Sequence, residues 1–128
     1  MTLSHHAGNP LSNKVIGAAI EVHREIGPGM LESTYSEALC MELSDRGISF
    51  VAQPFLPVRY KQRRLKTFYR PDLIVDSQLV VELKAVDKLI AVHRAQLLTY
   101  LKHADLNMGL LFNFHSVVLK EGIWRAIR

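Results

Sequence analysis

The chain has 128 residues, 48% of them apolar and 22% charged. Those proportions fit one compact folded domain and exclude a disordered or fibrous chain. With 16 Lys and Arg against 12 Asp and Glu, the net charge of +4 admits a polyanionic partner without requiring one.

The single cysteine, Cys40, excludes a disulfide framework within the chain and fits a reducing, cytoplasmic setting. Its apolar helical context reads as that of a small buried hydrophobe rather than a nucleophile. No run approaches the ~18 apolar residues of a membrane span. The polar start of the chain lacks the basic-then-apolar layout of a signal peptide. Residues 1–10 are expected as a flexible leader and 11–128 as a single domain. His5 and His6 fall in that leader, where a metal role has little support.

From Leu11 the apolar residues recur at three- and four-residue steps. Val15, Ile16, Ala19, Ile20, Val22, His23 and Ile26 form one stripe, which predicts a helix. Ser12 or Asn13 is the expected cap, and Gly27-Pro28-Gly29 ends the run. His23 reads as a core residue. A second helix is predicted over 32–46, with Leu31, Tyr35, Ala38, Leu39 and Leu43 as its stripe and Gly47 as its end.

Strands are predicted next, over 48–52, 55–60 and 65–69. The last two pair across the basic stretch Lys61-Gln62-Arg63-Arg64. Strands over 72–75 and 79–85 then read as a hairpin through Asp76-Ser77-Gln78. A third helix is predicted over 90–103. Residues 108–114 are almost wholly apolar, as in a central strand buried on both faces. Strands over 117–119 and 123–127 close the chain around Lys120-Glu121-Gly122, and Trp124 reads as core. The sum is an α/β fold with a mixed central sheet flanked by helices.

Within the strands the charged residues stand out. Side chains alternate faces along a strand, so Glu82 and Lys84 share one face. If the hairpin forms, Asp72 lies beside Glu82. A structural ion pair is the ordinary reading of such residues, worth about 0–1 kcal/mol when exposed. Among leucines and valines, however, buried charge costs several kcal/mol unless something compensates it. A divalent cation compensates two carboxylates, because Mg²⁺ favours carboxylate and water oxygens.

Two further groups are candidates. Glu32 and Tyr35 share a helix face; an acid at a helix start is also favoured by the helix dipole alone. His93, Gln96 and Tyr100 line one face of the third helix, which is otherwise a solvated stripe. Between Arg59 and Arg70 stand six basic residues and no acid (Arg59, Lys61, Arg63, Arg64, Lys66 and Arg70), with Tyr60, Phe68 and Tyr69 interleaved. That segment reads as a solvated hairpin or as a phosphate-tracking surface with stacking aromatics.

Pro71-Asp72 followed by Glu82-Leu83-Lys84 resembles the signature of the PD-(D/E)XK nuclease superfamily. Gly29-Met30-Leu31-Glu32-Ser33-Thr34-Tyr35 resembles the GxxExxY pattern of a small bacterial family within it. "AAIEVHREIGPG", "HRAQLLTYL" and "GLLFNF" are similar to the same family, so the resemblance covers about residues 11–128. Gln96 and Tyr100 resemble the QxxxY motif of RecB-type nucleases. The resemblance implies a restriction-endonuclease-like core and a metal-dependent nuclease. In that reading Asp72, Glu82 and Lys84 are catalytic. Asp72, Glu82, Glu32 and the Leu83 carbonyl hold Mg²⁺ or Mn²⁺. Tyr35, His93, Gln96, Tyr100, Arg63 and Arg64 contact nucleic acid, with DNA favoured over RNA.

The competing reading is a non-catalytic nucleic-acid-binding or assembly module on the same fold. Specificity in so small a domain is expected from a partner or from self-association as a homo-oligomer. No membrane partner is expected.

Overall fold

A computed structural model describes residues 9–128. Helix α1 (Pro10–Ile26) is followed by α2 (Glu32–Asp45). Then come β1 (Phe50–Ala52), β2 (Leu56–Tyr60), β3 (Arg63–Tyr69), β4 (Leu73–Val75) and β5 (Leu79–Lys84). Helix α3 (Ala91–Ala104), β6 (Met108–Asn113), a 3₁₀ turn (Leu119–Gly122) and β7 (Ile123–Ile127) complete the order. His5 and His6 lie outside the described residues.

Five strands form one mixed sheet in the order β1-β4-β5-β6-β7. β4 and β5 make the expected antiparallel hairpin, with Leu73 opposite Val81 and Val75 opposite Leu79. β5 runs parallel to β6, and α3 supplies the crossover that a parallel pair needs. β6 is flanked on both sides and buried along nearly its whole length, as its apolar run predicts. β2 and β3 form a separate two-stranded ribbon.

Alternation along the strands sorts the core into two layers. Leu79, Val81, Leu83, Leu110 and Phe112 point toward α1 and α2. Val80 and Leu111 point the other way, into a second core with Leu97, Tyr100 and Leu101 of α3 and Leu56 of the ribbon. By the same parity Glu82 and Lys84 face α3. Gly109 makes this second layer close: a Cβ there would stand 2.9 Å from a Leu97 methyl.

Three expectations are corrected. α1 starts at Pro10 and is capped by Asn9, whose Oδ1 accepts from the Leu11 and Ser12 amides at 2.8 and 3.2 Å. The helix therefore reaches into the expected leader, and neither Ser12 nor Asn13 is the cap. Pro at the first helical position needs no amide partner, which suits this start. Residues 117–119 form no strand: Val117 and Val118 are exposed, and Leu119 opens the 3₁₀ turn. β-Branched residues favour strands only where a neighbouring strand is present to pair with them. Arg63 and Arg64 lie inside β3 rather than in the turn, which is only Lys61-Gln62, both at positive φ.

His23 is buried as expected, its Nε2 2.8 Å from the Ser116 carbonyl. Cys40 and Trp124 are half-buried at the edges of the two cores. No helix among the described residues is long and apolar enough to cross a membrane.

Candidate active site

The end of β5 gathers the charged residues. Asp72 lies just before β4, opposite Glu82. The Asp72 amide donates to Glu82 Oε1 at 2.7 Å, and the Leu83 amide donates to Asp72 Oδ2 at 2.8 Å. Each carboxylate thus spends one oxygen on holding the neighbouring strand. Among the described residues, no hydrogen bond reaches Asp72 Oδ1 or Glu82 Oε2.

Lys84 stands on the same face. Its Nζ donates to Gln96 Oε1 at 2.9 Å and lies 3.9 Å from Glu82 Oε2. Gln96 Nε2 in turn donates to the Tyr100 hydroxyl at 3.0 Å. The predicted stripe of α3 is therefore aimed inward over the carboxylates, with Gln96 half-buried and Tyr100 buried. A continuous chain of contacts joins Glu82, Lys84, Gln96 and Tyr100.

The electrostatics are those of two acids sharing too little water. Burial, then the neighbouring Asp72 charge, push the Glu82 carboxyl up to about 8. Burial likewise raises Asp72; the Leu83 amide opposes that shift, and Glu32 adds to it. Tyr100 is pushed up to about 12 by burial and by the Glu82 and Asp72 charges. The Cys40 thiol is raised by burial and then by Asp72. One ammonium does not balance the pair.

Glu32 opens α2 with no side-chain cap on that helix. It lines, with Ser33, Ser36, Glu37, Gln53, Asp72 and Leu83, a cleft of about 380 Å³. Glu32 and Asp72 therefore meet in one solvent-filled space beside Leu83. Among the described residues no three His, Cys, Asp or Glu side chains close a metal cage. Glu32 shares that cleft with Asp72, and its charge adds to the raised Asp72 and Glu82 carboxyls.

Those features fit a divalent ion. A buried Glu82 and a half-buried Asp72, both with raised pKa values, are short of positive charge, and each keeps one oxygen free of hydrogen bonds from the described residues. Mg²⁺ and Mn²⁺ take such oxygens and fill their remaining positions with water.

Four residues expected at the substrate, Tyr35, His93, Arg63 and Arg64, lie outside the carboxylate cluster. Tyr35 is wholly buried and stacks on Phe114 with ring centroids 4.5 Å apart. Its hydroxyl donates to the Gly27 carbonyl at 2.6 Å and accepts from the Met30 amide at 3.0 Å. A buried, doubly bonded phenol offers no surface to a substrate, so Tyr35 ties down the loop that precedes Glu32. Gly29, at φ 99°, lets that loop turn. His93 Nδ1 accepts from the Ile90 amide at 3.0 Å and so caps α3. Arg63 and Arg64 lie on the exposed ribbon, away from the cleft lining.

Some supporting residues carried little sequence signal. Gln53 donates its amide to the Asp72 carbonyl at 2.9 Å and accepts Arg70 Nη1 at 2.8 Å. Buried Asn113 clasps Val86 through both amide atoms, at 3.1 and 2.9 Å, and so fixes the chain leaving Lys84. Its one signal is a lone amide within the apolar run "GLLFNF".

The fold and this cluster define a PD-(D/E)XK type of core. The chain matches the family model of the PD-(D/E)XK nuclease superfamily over residues 9–126, and it belongs to that superfamily. No curated protein and no solved structure matches it.

Proposed function

We infer that this protein is a metal-dependent nuclease that hydrolyses phosphodiester bonds of nucleic acid, with DNA favoured over RNA. The observation that carries this reading is the undercompensated Asp72–Glu82 pair beside Lys84 at the end of β5. Within the superfamily, the spacing of Gly29, Glu32 and Tyr35 supports the narrower GxxExxY family. The domain is a single nuclease-like unit following a short N-terminal stretch.

Asp72 and Glu82 would hold Mg²⁺ or Mn²⁺, with the Leu83 carbonyl as a further ligand and Glu32 reaching the ion through water. Such an ion lowers the pKa of a coordinated water and offsets charge developing on the phosphate. The remaining work falls to this chain's own side chains. Lys84 donates to the attacking water or to a non-bridging phosphate oxygen. Gln96 holds the ammonium 2.9 Å away and keeps it from collapsing onto Glu82. Tyr100 fixes the Gln96 amide. His93, one turn before Gln96, can present its Nε2 to the strand being cut, and Arg63 and Arg64 contact phosphates further along.

The test is cleavage of labelled single- and double-stranded DNA, and of RNA, with Mg²⁺ or Mn²⁺, comparing wild type with Glu82→Ala. Metal-dependent cutting that disappears in the variant supports the assignment and names the polymer. Equal cutting by both proteins is contamination and overturns it, as does an absence of cutting by wild type on every substrate.

A further inference from the structure

The β2–β3 ribbon has two unlike faces. Its inner face sits on α3 through buried Leu56 and through Tyr69, whose ring lies 5.5 Å from Tyr100, and Val58 on the same face is also buried. On its outer face Pro57 stands opposite Phe68 and Arg59 opposite Arg64. Phe55 and Phe68 pair there at 4.7 Å, 48% and 45% exposed. The Arg64 guanidinium lies 5.2 Å over the Phe55 ring and the Arg70 guanidinium 5.5 Å over Phe68. Near the tip, exposed Tyr60 carries Lys61 5.5 Å over its ring.

Phe55 and Phe68 belong to neither core. Their exposed rings pack only on each other and under two guanidiniums among the contacts seen, so both charges stacked on them are positive. Cations and flat rings interleaved on one strand pair suit a polyanion whose units are themselves flat. Unpaired nucleobases stack on aromatic rings and on guanidinium planes, while their phosphates meet Lys and Arg. A duplex keeps its bases stacked internally and offers the ribbon only its backbone. The ribbon's root leads to the carboxylates, because Tyr100 bonds Gln96 and Gln96 bonds Lys84.

We propose that the outer face of the β2–β3 ribbon, built on Phe55, Phe68, Arg64 and Arg70, is a stacking platform for unpaired bases, which makes single-stranded nucleic acid the preferred substrate. The proposal rests on the nuclease reading of the Asp72–Glu82 site and names the form of nucleic acid that site receives.

The experiment is fluorescence anisotropy with labelled oligonucleotides of about 12 nucleotides, as single-stranded DNA, single-stranded RNA and duplex DNA. Excess EDTA prevents cutting. Wild type is compared with the double variant Phe55→Leu/Phe68→Leu. Both side chains are exposed, so the variant folds, and far-ultraviolet circular dichroism verifies it. Wild type binds single strands more tightly than duplex, and the variant loses roughly tenfold or more on single strands while duplex binding barely changes. Phe68→Trp retains single-strand affinity, and its added fluorescence is quenched by the oligonucleotide. The two single-strand arms identify the polymer.

Equal affinity for single strands and duplex, an unaffected double variant, or no binding by wild type overturns the platform. Cleavage is scored separately with Mn²⁺. Cutting without any ribbon effect leaves the nuclease and removes the platform; stacking without cutting does the reverse.

Discussion

Glu82 holds the backbone of Asp72: its Oε1 accepts the Asp72 amide at 2.7 Å across the β4–β5 hairpin. The two acids that repel each other are also the residues that lock this end of the hairpin together. The fold thus fixes a carboxylate pair at short range and tolerates its charge only partly. That unresolved repulsion makes the site measurable without a substrate.

Glu82 is raised from an ordinary 4.5 to about 8. The folded chain therefore binds this proton more tightly than the unfolded chain. The resulting penalty is absent below about pH 4.5 and grows as the pH rises to about 8, so metal-free stability falls across that window. Thermal melts in EDTA should show this decline for wild type. Glu82→Gln, which keeps an oxygen for the Asp72 amide but carries no charge, should flatten it. Added Mg²⁺ or Mn²⁺ should stabilise wild type more at the upper end, where the ion displaces no proton. Parallel melting profiles for the two proteins would contradict the raised carboxyl.

Lys84→Ala should fold and lose turnover by about 10²–10³-fold, the usual cost of one donor aimed at developing charge. It should also melt earlier than wild type, since the ammonium beside the pair is gone. Lys84→Arg should recover part of the stability. Cleavage kinetics beside melts check both effects, and unchanged cleavage by Lys84→Ala would sink the assignment of that residue.

Tyr35→Phe distinguishes a structural tyrosine from one that contacts substrate. Loss of the hydroxyl strands the Gly27 carbonyl and the Met30 amide, so the protein should lose about 1–3 kcal/mol of stability. Activity per folded molecule should change little, because the wholly buried ring meets no substrate. Urea unfolding and kinetics well below the melting temperature separate the two. A large rate loss with stability intact would return Tyr35 to the substrate.

The grouping of Asp72, Glu82 and Lys84 was more legible in the sequence than the edges of the fold were. Period-two alternation put Glu82 and Lys84 on one face, and the short turn after Val75 brought Asp72 beside them; both follow from strand geometry. The helical stripes and the buried β6 strand followed from periodicity in the same way. The apolar stripe of α2 put Tyr35 in the core, where it stacks on Phe114, while its expected place at the substrate came from the resemblance alone. His93 was read for its ring, while its use as a cap depends on the extended backbone at Ile90. Residues 117–119 looked strand-like because β propensity is blind to whether a neighbouring strand exists. Asn113 and Gln53 act through backbone contacts distant in sequence, which no local pattern encodes.

Gln96 is the residue whose removal should divide binding from turnover. Its carbonyl oxygen holds Lys84 and its amide meets Tyr100, so it positions the ammonium rather than meeting the reacting phosphate through charge. Gln96→Leu keeps the bulk on α3 and deletes both bonds. The freed Lys84 should then move toward Glu82, now 3.9 Å away, and form a closer ion pair. That pair lowers the Glu82 pKa and weakens the need for a metal. The expected result is a kcat reduced by roughly tenfold to a hundredfold, as for a residue that acts through another, a KM changed less, and a metal-free melting profile less sensitive to pH. Tyr100→Phe should show a smaller loss of the same kind, since Gln96 still holds Lys84. A variant that raises KM alone and leaves the pH profile untouched would make Gln96 a substrate contact instead.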